Sequence, residues 1–170
     1  MKVLMFGWEF PPHILGGLGT ASFGLTKGMS KQEDVDITFC IPKPWGDEDQ
    51  SFLKLIGMNS VPVVWKDVSW DQVYNKVGTY MDPQLYYDLR HHIYGDFNYV
   101  NTNELGCIEF SGIYPDNIYE EINNYSIVAG IVARQQDFDI IHSHDWLTYS
   151  AGIHAKQVSE IGRASCRERV

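Results

Sequence analysis

GWEFPPHILGGLGTASFGL, residues 7–25, decides the reading of this chain. The apolar run Val3-Leu4-Met5-Phe6 precedes it, and two prolines followed by Gly16, Gly17 and Gly19 lie inside it. A helical pattern starts directly afterwards. A strand, a glycine-rich turn and a helix is how an open α/β sheet builds a ligand site at its first crossover. Glycines let backbone N–H groups approach a ligand where a Cβ would collide. The helix start behind them offers unpaired donors and partial positive charge, suited to phosphate or an oxygen-rich sugar. The same glycines also suit plain helix–strand packing, and both readings stand at this point. The spacing G-G-x-G is not the dinucleotide fingerprint, and no Gly-Lys-Ser/Thr follows to make a Walker loop.

Outward from this stretch, Lys2 to Phe6 reads as a strand buried on both faces, as a central parallel strand should be. Pro11 and Pro12 end it. Residues 18–30 suit a helix, with Leu18, Ala21, Leu25 and Met29 as its apolar stripe. Val35 to Ile41 is a second strand, closed by Pro42, and Pro62 to Trp65 a short third. Residues 47–117 read as an insertion-like region with short helices, one of them opened by Asp82-Pro83 and running to about Tyr99. The many aromatics of that region serve core packing or sugar stacking. Residues 118–136 form the clearest helix, with Ile118, Ile122, Tyr125, Val128 or Ala129, and Val132 on one face. Asp139 to Ser143 is a fourth strand. His144-Asp145-Trp146 sits at its tip, and a helix over about 147–158 follows.

This order predicts an α/β fold with a Rossmann-like, doubly wound parallel sheet. In such sheets ligands bind beyond the C-terminal strand ends, where the strand order reverses. The first and fourth strands flank that point, so the glycine turn and HSHDW (residues 142–146) are expected in one crevice. His142 and His144 alternate along the strand end and face one side, with Ser143 on the other. Two imidazoles and a carboxylate can bind a metal, move protons or hydrogen-bond a polar ligand. No third or fourth metal ligand recurs nearby, and a sugar-contacting set fits best. Trp146 then stacks on the sugar or packs behind it. His142 reads better as a satisfied core histidine, and His144 as the ligand-facing one.

The chain has 170 residues, enough for one domain with a real core. Its 44% hydrophobic and 21% charged content is that of a soluble globular protein. A net charge of −9 argues against a nucleic-acid surface. No apolar run reaches the ~20 residues that span a bilayer, and no basic leader precedes a long apolar core. Cys40 and Cys107 are isolated, as buried thiols in a reducing compartment are, and no spacing suggests zinc. A cytoplasmic location is expected. The last ten residues, IGRASCRERV, turn abruptly basic in an acidic chain. They are identified as the translation of a common sequencing adapter. The expectation is therefore a non-native tail over 161–170 and a partial domain over 1–160, incomplete at its C-terminal side.

The motifs resemble a known family. A short strand with E-x-x-P, then Gly-Gly-Leu and a helix, a second strand ending in proline, and H-x-H-D-W after a D-I-I strand resemble the N-terminal domain of bacterial glycogen and starch synthases. The matching residues are Glu9, Pro12, Gly16, Gly17 and Leu18, then Cys40-Ile41-Pro42, then His142, His144, Asp145 and Trp146. These are retaining glycosyltransferases of the two-domain GT-B fold. The resemblance implies glucose transfer from ADP- or UDP-glucose to an α-glucan, without a metal or other cofactor. It implies a catalytic contact from His144 to the transferred sugar. Substrate binding falls to Glu9, Gly16, Gly17, Leu18, Asp145 and Trp146. It also implies a second Rossmann-like domain holding most of the nucleotide, without which residues 1–170 are expected to be inactive. One departure stands out. The family usually carries Lys two residues before the Gly-Gly pair, reaching the donor phosphate, and this chain has Ile14 there. Phosphate binding is then left to backbone amides and to the second domain. Two further readings remain. One is a different GT-B transferase, sucrose synthase-like or acting on cell-envelope glycan. The other is a sugar- or nucleotide-binding domain without chemistry. An epimerase or dehydrogenase fits less well, because the second strand closes without an acidic residue.

Overall fold

A computed structural model describes residues 1–63 and 102–159, and the backbone of 164–167. Among the described residues, five parallel strands form one sheet in the order β3-β2-β1-β4-β5. They are β1 Lys2–Phe6, β2 Asp36–Ile41, β3 Lys54–Gly57, β4 Ile140–His144 and β5 Ala164–Arg167. Helix α1, Gly17–Met29, joins β1 to β2; α2, Ile118–Gln135, leads into β4; and α3, Trp146–Ser159, connects β4 to β5. The strand order reverses between β1 and β4, which pair directly with Phe6 beside Ser143. This is the expected doubly wound α/β sheet, with its switch point where the sequence puts it.

Each apolar side chain of β1 serves one of two cores, while Lys2 is exposed. Leu4 and Phe6 join Tyr125, Val128 and Val132 of α2 and Leu147, Ala151 and Ala155 of α3 on one face. Val3 and Met5 join Ile37, Phe39 and Ile41 on the other, closed by Phe23, Leu25 and Met29 of α1. Burial on both faces explains why the strands read as near-continuous apolar runs.

Several local expectations need correction. The third strand is Lys54–Gly57, followed by a single 3₁₀ turn over Met58–Ser60, and not Pro62 to Trp65. Pro62 makes only an isolated bridge to Cys107, while Val64 and Trp65 lie outside the described residues. The strand KLIG is short and begins with Lys, so its pattern is masked. A sheet strand thus falls inside the region read as insertion-like. The helix expected over Asp82 to Tyr99 lies outside the described residues. On α1 the fully buried positions are Gly19, Ser22 and Thr26, whereas Ala21 is exposed. Thr26 is accommodated because its hydroxyl donates to the Ser22 carbonyl at 2.9 Å. Helix α2 is buried over most of its circumference, because α3 covers the side that the sheet does not. Finally, β4 is not the last strand. Ala164–Arg167 pairs with it in parallel, from Ile141 beside Ala164 to His144 beside Arg167.

Candidate functional site

The glycine stretch is organised by Glu9. Its side chain is buried, and its two carboxylate oxygens accept the Leu15 N–H at 2.8 Å and the Gly19 N–H at 3.0 Å. A carboxylate at a helix N-terminus satisfies orphan donors and complements the helix dipole. Gly16, the residue before α1, is extended and makes no side-chain cap of its own, so Glu9 supplies the cap from ten residues upstream of Gly19. None of Gly16, Gly17 and Gly19 adopts a positive φ. The position that requires glycine by contact is Gly19, where a Cβ would overlap Ile14 and approach the Glu9 Cγ to 3.1 Å. Gly16 is open to solvent, and Leu18 is half-buried against the core beneath α2 and α3.

The strand tips are tied together below this loop. The Tyr125 hydroxyl lies 2.9 Å from the Gly7 carbonyl oxygen and 2.8 Å from that of Cys40, bridging the ends of β1 and β2. The Gly7 N–H donates to the same Cys40 carbonyl at 2.9 Å. A Cβ on Gly7 would strike the Phe39 ring. Burial holds the Tyr125 phenol protonated and pushes the Cys40 thiol up. Cys40 and Cys107 are both buried and free.

At the tip of β4 the alternation holds. The His142 and His144 rings lie 4.5 Å apart between centroids, and His144 is 5.9 Å from Phe39, on the α1 side of the sheet. Ser143 points the other way, against Gly152 of α3, where a Cβ would collide with its Oγ. His144 is enclosed, at 7% exposure, while Asp145 is half-buried and Trp146 exposed. Asp145 has φ +68°, the left-handed region that Asp tolerates better than most residues. That turn lifts the chain out of β4 and starts α3. Its Oδ1 accepts the Trp146 N–H at 2.7 Å, and the Thr148 hydroxyl donates to the His144 carbonyl at 2.8 Å.

Two loops not singled out from sequence complete the rim. Residues 111–114 are bound to α2 through Glu121, which accepts the Ser111 N–H at 2.9 Å and hydroxyl at 3.0 Å. They are bound to the end of β1 by the Trp8 indole N–H, which donates to the Ile113 carbonyl at 3.1 Å. The same segment carries Tyr114, 43% exposed. Partial burial first, then the charges of Glu9 and Asp145, push its phenol up to about 12. The parallel pairing of β1 and β4 puts the start of the glycine stretch and the β4 tip at the same end of neighbouring strands. The second loop, Pro42 to Glu48, carries exposed Trp45, with the His13 ring at 5.1 Å and the Lys43 ammonium at 4.8 Å from it. His13 and Asp47 pair at 2.8 Å. In the sequence, Gly112 and Pro115 mark a turn but give no sign that it reaches the strand tips. Among the described residues, no three His, Cys, Asp or Glu side chains are grouped as metal ligands would be. No described helix is long and apolar enough to cross a membrane.

A parallel sheet with a carboxylate-capped glycine loop and a His-x-His-Asp-Trp tip at its switch point defines a Rossmann-like domain. The particular family follows from comparison. The model of the starch synthase catalytic domain matches residues 2–165, and the chain belongs to that family, which makes it a glycosyltransferase domain. No curated protein matches the chain.

Proposed function

We propose that this domain is the N-terminal half of a glycogen or starch synthase-type enzyme transferring glucose from ADP- or UDP-glucose to an α-glucan. The observation that carries this reading is the family match over residues 2–165, whose two motif ends meet at one switch point. A second α/β domain would bind most of the nucleotide, and transfer would occur in the crevice between the two. The glycine-loop amides around Gly16, Gly17 and Leu18 would face the donor's oxygens, with Glu9 holding that loop in shape. His144 would hydrogen-bond the glucosyl group as the diphosphate departs. Asp145 and Trp146 would line the acceptor side. Catalysis of this kind rests on positioning and on stabilising the leaving diphosphate, with no bound metal or other cofactor. A cytoplasmic location and an adapter-derived origin for residues 161–170 belong to this reading.

The test is glucose incorporation into glycogen by a protein carrying this domain and its expected partner domain, with ADP- and UDP-glucose compared. Release of nucleoside diphosphate that depends on both glucan and donor is expected. The chain of residues 1–170 alone should release none above background. Sugar binding without any transfer by the two-domain protein would favour the non-catalytic reading.

A further inference from the structure

We infer that Tyr125 is a positioning residue for donor binding: its hydroxyl joins the ends of β1 and β2 and so sets where the glycine loop begins. The inference rests on the glucosyl-transfer reading above and adds to it a residue beneath the site rather than in it. Tyr125 lies in the middle of α2 and is fully buried. Its ring is wedged among Phe6, Trp8 and Phe110, edge-on to each, with centroids 6.2, 5.7 and 6.3 Å away. A phenylalanine would fill the same space. It is the hydroxyl that reaches the strand ends, 2.9 Å from the Gly7 carbonyl oxygen and 2.8 Å from that of Cys40.

Both carbonyl oxygens are acceptors and the phenol has one proton, so that proton is shared between them. Sharing holds the hydroxyl between the two oxygens and thereby fixes their spacing. The register of β1 and β2 ends at Phe6 beside Cys40, and the Gly7 N–H makes the next bond, to the Cys40 carbonyl, at 2.9 Å. Tyr125 thus clamps the pair where the ladder stops and the loop takes over. The residues that follow transmit the position. Trp8 packs on Tyr125 and donates to the Ile113 carbonyl at 3.1 Å. Glu9 then holds the Leu15 and Gly19 N–H groups at 2.8 and 3.0 Å. The amides of Gly16, Gly17 and Leu18 lie between those two bonds. Their distance from a donor's oxygens therefore depends on where Gly7 stands. A hydroxyl in an apolar setting is costly unless bonded, and a buried carbonyl that loses its donor is costly too.

The experiment compares Tyr125→Phe with Ser126→Ala. Ser126, the next residue of α2, donates its hydroxyl to the Ser150 carbonyl of α3 at 3.1 Å. Its loss weakens the domain without touching the strand ends. In residues 1–170, Tyr125→Phe should speed amide exchange at Gly7, Leu15 and Gly19 roughly tenfold relative to the α2 core, the size of one lost hydrogen bond. Ser126→Ala should leave those three amides in step with the rest of the domain. In the two-domain protein, Tyr125→Phe should raise KM for the nucleotide sugar by about the same factor and leave KM for glycogen unchanged, while Ser126→Ala alters neither. Unchanged exchange at the three amides in Tyr125→Phe, both KM values moving together, or the same shifts in Ser126→Ala would each overturn the inference. Faster loop exchange in a two-domain protein that transfers no glucose would uphold the clamp and sink the enzymatic reading.

Discussion

The Glu9 carboxylate accepts the Gly19 N–H at 3.0 Å from across the glycine loop, and so the loop and the first turn of α1 move as one piece. Glu9→Gln keeps the shape but replaces one oxygen with an amide N–H₂. That group then faces the Leu15 or Gly19 N–H, donor against donor. A buried donor left without an acceptor costs about 1–3 kcal/mol. The unfolding midpoint should fall, and amide exchange at Leu15 and Gly19 should accelerate ahead of the core. Unchanged exchange at both amides would show that Glu9 does not hold the loop.

His154 gives the fold an acid-sensitive joint between α2 and α3. Its ring is buried, its Nδ1 is 2.8 Å from the Ser126 carbonyl oxygen, and its Nε2 has no hydrogen-bond partner among the described residues. Burial, helped by Arg134 and opposed by the Ser126 bond, lowers it from the ordinary 6.5. The neutral ring is thus favoured in the fold. Below 6.5 the unfolded chain takes up a proton that the folded chain refuses, so stability is full above that pH and falls as pH drops toward the lowered value. The slope is at most about 1.4 kcal/mol per pH unit for one such group. Urea midpoints measured between neutral pH and the onset of carboxylate titration should show it. His154→Gln should flatten that part of the profile; an equal slope in the variant would assign it elsewhere.

The fold was legible wherever a strand is buried on both faces or a helix has a long apolar period. Lys2 to Phe6, Asp36 to Ile41 and the helix from Ile118 all stand within a residue or so of their expected limits. The third strand was not legible, because Lys54–Gly57 is a four-residue strand starting with a charge and ending in glycine. The α1 stripe was legible at Leu18, Leu25 and Met29 and failed at Ala21, because the closest contacts use Gly19, Ser22 and Thr26, small residues that let a helix approach a sheet but carry no hydrophobic signal. At the candidate site the motif residues were visible and their setting was not. That Glu9 spends its carboxylate on loop amides, and that Tyr114 arrives from a distant turn, are tertiary facts without a local sequence signature.

The edge of β4 offers a third test. A non-native tail over 161–170, as read from the sequence, would leave β4 as an open edge. Ala164–Arg167 instead supplies its neighbour. Deleting 161–170 removes that cover from an apolar strand, and bare strand edges template association. Sedimentation of the shortened chain should show concentration-dependent self-association absent from the full chain. A monomer at all concentrations would mean that β5 contributes nothing in solution.

His144 separates a structural from a functional histidine. Its ring packs within 5.9 Å of Phe39 and 4.5 Å of His142 and is almost fully enclosed. Its removal should therefore affect melting as well as activity. His144→Ala opens a space beneath the crevice and should destabilise the domain by about 0.5–3 kcal/mol. Activity of the two-domain protein should fall as well, but that loss alone would not distinguish the roles. His144→Asn keeps an amide donor and much of the volume, so most of the stability should return. If the ring's hydrogen bond is made mainly in the transition state, kcat should stay low in His144→Asn while KM changes little. A misplaced donor of this kind costs roughly a hundredfold in turnover. The measurement is kcat, KM and the unfolding midpoint for both variants. Recovery of kcat in step with stability would mark His144 as a packing residue and move the sugar contact elsewhere on the β4 tip.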